Sequence, residues 1–139
     1  KDATGEWATV QRVHQKDCGQ ACVGHHATVQ ADKTLKHDAV NVPARTRGGR
    51  LRLVRSGGTL TYSVAEADAE SFQQIYETEF SSGPITQLNF GAKRDGSPTI
   101  VDVVWTQIEI HAEQIIRHGE AGQPVLQRWL PLPSAIAHV

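Results

Sequence analysis

Apolar and polar residues alternate most regularly between Leu51 and Val64, in the stretch LRLVRSGGTLTYSV. If Gly57 and Gly58 form a two-residue turn, the large apolar side chains of both arms fall on the same face. The facing pairs are then Leu51 with Val64, Leu53 with Tyr62, and Arg55 with Leu60. Both arms indicate this register independently, and a glycine pair supplies the positive φ that a primed turn needs. The pattern predicts an antiparallel hairpin with one covered face, on which Leu53 is buried.

Short strands are predicted on both sides of this hairpin. Period-two alternation begins at His25, and residues 40–43 predict a second short strand that ends at a proline. Residues 72–80 fit a strand face or a helix face, and we predict a strand because the neighbouring segments are short strands. Alternation returns over residues 87–92. The run TIVDVVWTQIEI, residues 99–110, is apolar on both faces over its first half and therefore predicts a long central strand.

These short strands, separated by turn signals, predict an all-β fold, an antiparallel β-sandwich. A chain of 139 residues with 39% hydrophobic content can bury one core. Residues 1–24 are predicted to be an irregular N-terminal segment, because the spacing of their apolar residues fits a short helix and an irregular strand equally. Residues 25–113 are predicted to form the β-sandwich domain. Residues 114–139, which are interrupted by glycines and prolines, are predicted to be a C-terminal tail or linker.

The charge balance narrows the range of partners. Fourteen lysines and arginines stand against fifteen acidic residues, whereas nucleic-acid affinity rests on a clustered basic excess, so we expect no nucleic-acid partner. The densest basic run, Arg45 to Arg55, is interpreted as a solvated strand face or edge, with a binding patch as the alternative. No run of 18 apolar residues occurs, so no membrane insertion is expected. The first residue is lysine, so either a leader has been removed or the chain is a piece of a longer polypeptide.

Three stretches carry a resemblance to a known family: GRLRLVRSGGTLTYSVAE, FQQIYETEF and VDVVWTQIEIHAE. They resemble an uncharacterised bacterial domain family whose members occur in large exported proteins. That family is similar to the concanavalin A-like lectins and glucanases, whose fold is a two-sheet jelly roll. The resemblance covers roughly half of the chain, and its motifs are structural, not catalytic. It implies a jelly roll, complete or lacking its early strands, in an extracellular or cell-envelope location.

Three acids form the most specific catalytic candidate, at Glu66, Asp68 and Glu70. Glucanases of the same fold carry a similar E-x-D-x-E, and a retaining pair needs its carboxyl groups about 5 to 5.5 Å apart. The family's motif has bulky apolar residues between its acids, which anchor the strand in the core, whereas Ala67 and Ala69 stand between the acids here. We therefore expect a connection after the hairpin with diverging carboxylates, and we assign no catalytic residue.

Cysteine and histidine cluster near the N-terminus, at His14, Cys18, Cys22, His25 and His26. Thiolate and imidazole suit zinc, although x3 spacing between the cysteines is unusual for a structural zinc site. A disulfide needs the segment to turn, because in an extended strand the two Cα atoms stand about 13 Å apart. We expect an irregular, exposed loop with unlinked cysteines, and assign no metal ligand and no cofactor.

Tyr62 and Trp105 are the candidate ligand-binding residues, because a flat ring with a polar edge stacks well on a sugar if its face is exposed. The leading functional hypothesis is a non-catalytic, lectin-like or interaction module of a larger exported protein, with a glycan or neighbouring domains as partners. The alternatives are a glycoside hydrolase that uses Glu66 and Glu70, and a purely structural domain.

Overall fold

The computed structural model describes residues 1–15, 19–92, 103–112, 116–118 and 124–126. The chain divides into two units, Lys1–Asn89 and Phe90–Val139. Among the described residues there is no helix, and the predicted all-β class is confirmed. The strands are β1 (Trp7–Gln15), β2 (Gly19–Val29), β3 (Leu35–Pro43), β4 (Gly49–Ser56), β5 (Thr59–Glu66), β6 (Gln73–Glu79), β7 (Ile116–His118) and β8 (Pro124–Leu126).

The first unit contains two antiparallel three-stranded sheets. The first sheet has the order β1-β2-β3 and the second sheet has the order β4-β5-β6, so each is a simple meander. Strand β1 lies against β4, and β3 lies against β6, which places the two sheets face to face. This arrangement is consistent with an incomplete β-sandwich. In the second unit, β7 and β8 form a two-stranded antiparallel sheet.

The core lies between the two sheets and is centred on β5. Leu60 and Tyr62 from that strand are buried together with Phe80, which follows β6. Ala8 and Val10 of β1 pack against this cluster from the opposite sheet. The central position of β5 explains why its side chains are buried, because a middle strand is covered on both flanks as well as on its inner face.

The central hairpin is confirmed in its register. Strands β4 and β5 pair with Leu53 opposite Tyr62, and Gly57 in the turn has a φ of 58°. The predicted burial of Leu53 is wrong, because its side chain is 40% exposed. Strand β4 is the edge strand of its sheet. The sheet face that Leu53 shares with Tyr62 is therefore covered at Tyr62, on the central strand, but not at Leu53.

The expectation of irregular structure near the N-terminus is also wrong, since most of residues 7–29 belong to β1 and β2. Strand β1 places Val10 toward the core and Trp7 and Val13 on the opposite face, so its apolar residues show no single period. Cys22 is buried within β2, and does not lie in an exposed loop. Residues 16–18 are outside the described part of the chain. The division into domains stays a prediction.

The strands predicted after β6 differ from the structure. Over residues 87–92 there is no strand, and the nearest pairing is an isolated bridge between Ile85 and Asp2. The main-chain N–H groups of Thr86 and Gln87 donate to the Lys1 carbonyl, so they do not join a sheet ladder. Of the predicted strand 99–110, residues 99–102 lie outside the described residues, and the rest is not a strand. Its apolar side chains stay on the surface, with Val104 76% exposed.

Candidate functional site

The outer face of the first sheet is the most distinctive surface among the described residues. Successive strand residues alternate between faces, and because Ala8 and Val10 pack inward, the odd-numbered residues of β1 point outward. The pairing register keeps this parity across β2 and β3. The positions on this face are Trp7, Thr9, Gln11, Val13, Gly19, Ala21, Val23, His25, Ala27, Val29, Leu35, His37, Ala39, Asn41 and Pro43. None of them is an aspartate, glutamate, lysine or arginine.

Three rings meet on this outer face. The ring centroid of Trp7 is 4.7 Å from that of His25, with the planes 73° apart, and 5.7 Å from that of His37. The two imidazole centroids are 5.6 Å apart. Trp7 and His25 are half-buried, while His37 is exposed. The cluster is therefore accessible to a ligand, and its edge-to-face packing holds the indole in place.

The strand register brings these rings together. Trp7, Ala27 and His37 form one row across the three strands, and His25 lies in the neighbouring row on β2. Ala27 is fully buried, because its small side chain leaves the space into which the flanking rings lean. An alanine in the middle of the sheet thus allows a tryptophan and a histidine on the outer strands to approach each other.

Hydrogen-bonding groups surround the rings without adding charge. Thr9, Gln11 and Asn41 are exposed on the same face. A hydroxyl and two carboxamides can donate and accept, and each imidazole offers a donor and an acceptor in its neutral form. The arrangement can therefore stack a ring against an apolar ligand surface and hydrogen-bond to neutral hydroxyl groups around it.

Tyr62 and Trp105, the candidates from sequence, are placed differently. Tyr62 is fully buried, and its hydroxyl donates to the His25 carbonyl at 3.3 Å, so no ring face reaches solvent. Burial also raises the pKa of the Tyr62 hydroxyl. Trp105 is 40% exposed and lies in an irregular segment of the second unit, with its ring edge-on to Phe90 at 6.4 Å. Of the two, Trp105 alone presents a ring surface.

Glu66 serves to hold three segments of the first unit together. Its carboxylate accepts hydrogen bonds from the Thr46 hydroxyl, from the main-chain N–H groups of Arg45 and Thr46 at 2.9 and 3.1 Å, and from the Arg12 guanidinium at 2.8 Å. The Thr46 hydroxyl, the Arg45 N–H and the Arg12 guanidinium lower the pKa of Glu66 to about 2. This residue is therefore a saturated carboxylate, which is poorly suited to donate a proton or to attack as a nucleophile.

The other two acids do not share a strand face with Glu66. Strand β5 ends at Glu66, where the N–H of Ala69 closes a turn on the Glu66 carbonyl at 3.1 Å. Asp68 and Glu70 lie in the exposed connection to β6, as the sequence predicted, whereas Glu66, which was expected in the same connection, is the last residue of β5. Strand alternation therefore does not align the three carboxylates in this stretch.

Cys22 and His26 lie on the inner face of β2, four residues apart. The Cys22 thiol accepts a hydrogen bond from Arg12 at 3.4 Å, and burial raises its pKa. In an extended strand, residues four apart stand about 13 Å from each other, and His25 points to the opposite face, so these side chains do not share an ion. The disulfide and zinc hypotheses also need Cys18, which is outside the described residues.

In the described part of the chain, no group of three or more histidine, cysteine or acidic side chains is placed to hold a metal ion. Nor does that part contain a helix long and apolar enough to cross a membrane.

The Trp7–His25–His37 cluster was missed from the sequence, because β1 was not predicted as a strand. No single residue of the cluster identifies it in the sequence. Once β1 is paired with β2, the register places Trp7 beside Ala27 and His25.

Comparison with known proteins identifies a family without a known function. The model of the C domain of DUF1583, described as a protein of unknown function, matches residues 1–128. The chain therefore belongs to this family, and the expectation of an uncharacterised family is confirmed. No curated protein and no solved structure shows a significant match.

Proposed function

We propose that this DUF1583 C domain is a non-catalytic, lectin-like module that binds a neutral glycan on the outer face of its first sheet. Trp7 supplies the stacking surface, His25 and His37 flank it, and the exposed side chains of Thr9 and Gln11 hydrogen-bond to sugar hydroxyls.

One observation carries this proposal: among the described positions on the outer face of the first sheet, no aspartate, glutamate, lysine or arginine surrounds the partly exposed aromatic cluster. Solvent-facing sheet surfaces of soluble proteins usually carry charged side chains, which keep the surface soluble and discourage association. A face that replaces them with an indole, two imidazoles, hydroxyls and carboxamides suits a ligand that is itself uncharged and rich in hydroxyl groups. Sugars combine such hydroxyls with apolar C–H surfaces, on which an aromatic ring stacks.

The resemblance to concanavalin A-like lectins supports the same proposal. The structure shares two facing antiparallel sheets with that fold, although each sheet is a meander of consecutive strands and not a Greek key. Lectin-like modules of exported proteins bind sugars without catalysis. An extracellular or cell-envelope location is part of this proposal and is supported by the same resemblance.

The hydrolase alternative is less well supported, since the Glu66 carboxylate is already occupied by hydrogen bonds from Thr46, Arg45 and Arg12. The purely structural alternative predicts that no glycan binds.

A glycan array followed by isothermal titration calorimetry tests the proposal. We expect binding of one or more neutral oligosaccharides, with at least a tenfold loss of affinity in Trp7→Ala. His37→Ala removes an exposed side chain of the same cluster, so it should weaken binding while leaving the fold intact, as checked by circular dichroism. Trp105→Ala is the matched control and should bind like the wild type.

Two results would contradict the proposal. Absence of binding to every neutral glycan would favour the structural alternative. Loss of binding in Trp105→Ala, together with normal binding in Trp7→Ala and His37→Ala, would place the site at the tryptophan predicted from sequence instead.

A further inference from the structure

A cavity of about 480 Å³ opens at one end of the first unit. It lies where β3 ends, beside the loop before β4 and the connection between β5 and β6. Val42, Pro43 and Val64 form its apolar wall, and Arg45, Ser71 and Gln73 contribute polar groups. Its volume falls within the range of sites that hold small molecules, roughly 300 to 1,000 Å³.

Glu66 also lines this cavity, but its charge is already neutralised. The Arg12 guanidinium forms an ion pair with Glu66 at 2.8 Å, and both side chains are largely shielded from solvent, at 15% and 16% exposure. The remaining acceptor capacity of the carboxylate is taken by Thr46 and by the main-chain N–H of Arg45. The cavity therefore does not repel an anion as an unpaired glutamate would.

Arg45 is the uncompensated charge of the cavity. Its guanidinium has no acidic partner within 4 Å among the described residues, although its own main-chain N–H is anchored to Glu66 at 2.9 Å. That anchor fixes the backbone from which the side chain extends. A guanidinium with free donors, on a residue that lines a concave site, is suited to bidentate binding of a carboxylate.

Ser71 lies in the bend before β6, Gln73 is the first residue of that strand, and both line the cavity. A hydroxyl and a carboxamide there offer donors and acceptors for ligand hydroxyl groups.

We propose that this cavity binds a small hydroxylated carboxylate of the size of one sugar ring, such as a hexuronate. Arg45 pairs with the carboxylate, Ser71 and Gln73 bind ring hydroxyls, and the apolar wall contacts the ring carbons. This cavity is separate from the outer face of the first sheet. Its test is therefore independent of the test of the proposed glycan binding. The carboxylate can belong to a free sugar acid or to the terminal unit of an acidic oligosaccharide.

Titration of the full chain with glucuronate, followed by backbone amide chemical shifts in NMR, tests this site. We expect the largest shifts at residues 43–46 and 71–73, and no saturable shifts there with glucose, which differs by lacking the carboxylate. Arg45→Gln should weaken glucuronate binding at least tenfold, because it removes the charge and keeps the main-chain bond to Glu66. Arg47→Gln is the matched control: it removes a charge from the same loop at an exposed residue that does not line the cavity, and should change affinity less than twofold.

A second titration with a di-uronide separates the two sources of the carboxylate. Tighter binding of the di-uronide than of glucuronate supports an oligosaccharide end, and equal or weaker binding supports a free sugar acid. Equal shifts with glucose and glucuronate, equal losses in Arg45→Gln and Arg47→Gln, or no saturable shift with any of these ligands would overturn the proposal.

Discussion

Gly24 lies directly against the ring of Tyr62. A Cβ atom built on Gly24 would stand 2.9 Å from the Tyr62 Cδ1 and 3.2 Å from the Val40 Cγ1, which is closer than real Cβ contacts normally approach. The two residues belong to the central strands of opposite sheets. A glycine in β2 therefore leaves room for the largest buried side chain of β5 against the first sheet.

Gly24→Ala should lower the free energy of unfolding by about 1 to 3 kcal/mol, because the added methyl must displace the Tyr62 ring or separate the sheets. Urea denaturation followed by tryptophan fluorescence measures the change. Gly48→Ala is the control, since its Cβ would meet only the Ala67 Cβ, at 3.9 Å. Equal midpoints for wild type and Gly24→Ala would mean that the sheets are not in close contact at Tyr62.

Replacement by alanine should lower the stability of the fold much more at Leu60 than at Leu53, although both residues belong to the same hairpin. Leu60 is 3% exposed in the core, so Leu60→Ala should cost about 2 to 5 kcal/mol. Leu53 is half open to solvent on the edge strand, and Leu53→Ala should cost about 1 kcal/mol or less. Parallel urea titrations of the two variants measure the contrast, and a larger loss in Leu53→Ala would show that the core extends out to β4.

The sequence predicted the β4–β5 hairpin well because local chemistry determines it. The glycine turn and the alternation of both arms agree on the pairs that the structure shows, such as Leu53 with Tyr62. Which strand is central could not be read from the same stretch, because burial depends on neighbours that are distant in sequence. The pattern of residues 99–110 illustrates the limit: its apolar side chains resemble those of a central strand, yet Val104 remains exposed.

The candidate site was less predictable than the fold for a similar reason. Trp7 and His25 are 18 positions apart in the sequence, and only the β1–β2 pairing makes them neighbours. Tyr62 and Trp105 were selected as isolated aromatic residues, whereas a stacking surface depends on which rings a sheet exposes. Such a cluster becomes predictable only after strand pairing is known.

Glu66 should make the fold sensitive to strong acid. Its hydrogen bonds from Thr46, Arg45 and Arg12 favour the ionised form in the folded state and lower its pKa from 4.5 to about 2. In the unfolded chain the carboxylate takes up a proton near its ordinary pKa, so the stabilisation is complete above pH 4.5 and is lost as the pH falls toward 2.

Glu66→Gln should therefore be less stable than the wild type at pH 7, and the difference should narrow between pH 4.5 and 2. Denaturant midpoints measured across this range test the prediction. Glu70→Gln removes an exposed acid from the adjacent connection and provides the control, whose difference from the wild type should stay small throughout. A Glu66→Gln difference that does not change with pH would argue against the bonded carboxylate.

His26 should add a second, milder pH dependence at a higher pH. Its side chain is 2% exposed between the sheets, its Nε2 lies 3.4 Å from the Thr78 hydroxyl, and its Nδ1 has no partner among the described residues. Burial lowers the pKa of His26 below 6.5, while Asp38, 3.7 Å from Nε2, acts in the opposite direction. The other charged or titratable groups around it are Glu6, His25, Lys36 and Tyr76.

Because the folded state resists protonation of His26, the unfolded chain takes up a proton first as the pH falls through 6.5. The stability of the wild type should therefore be greatest above that pH and should decrease toward pH 5.5, before Glu66 begins to contribute. His26→Phe keeps a ring against Tyr76 without a titratable group, so its stability should change less over the same interval. His37→Gln, which removes an exposed histidine, should retain the wild-type dependence. Urea midpoints at pH 7.5 and 5.5 test this prediction. An equally steep decline of stability in His26→Phe would show that another group causes the pH dependence.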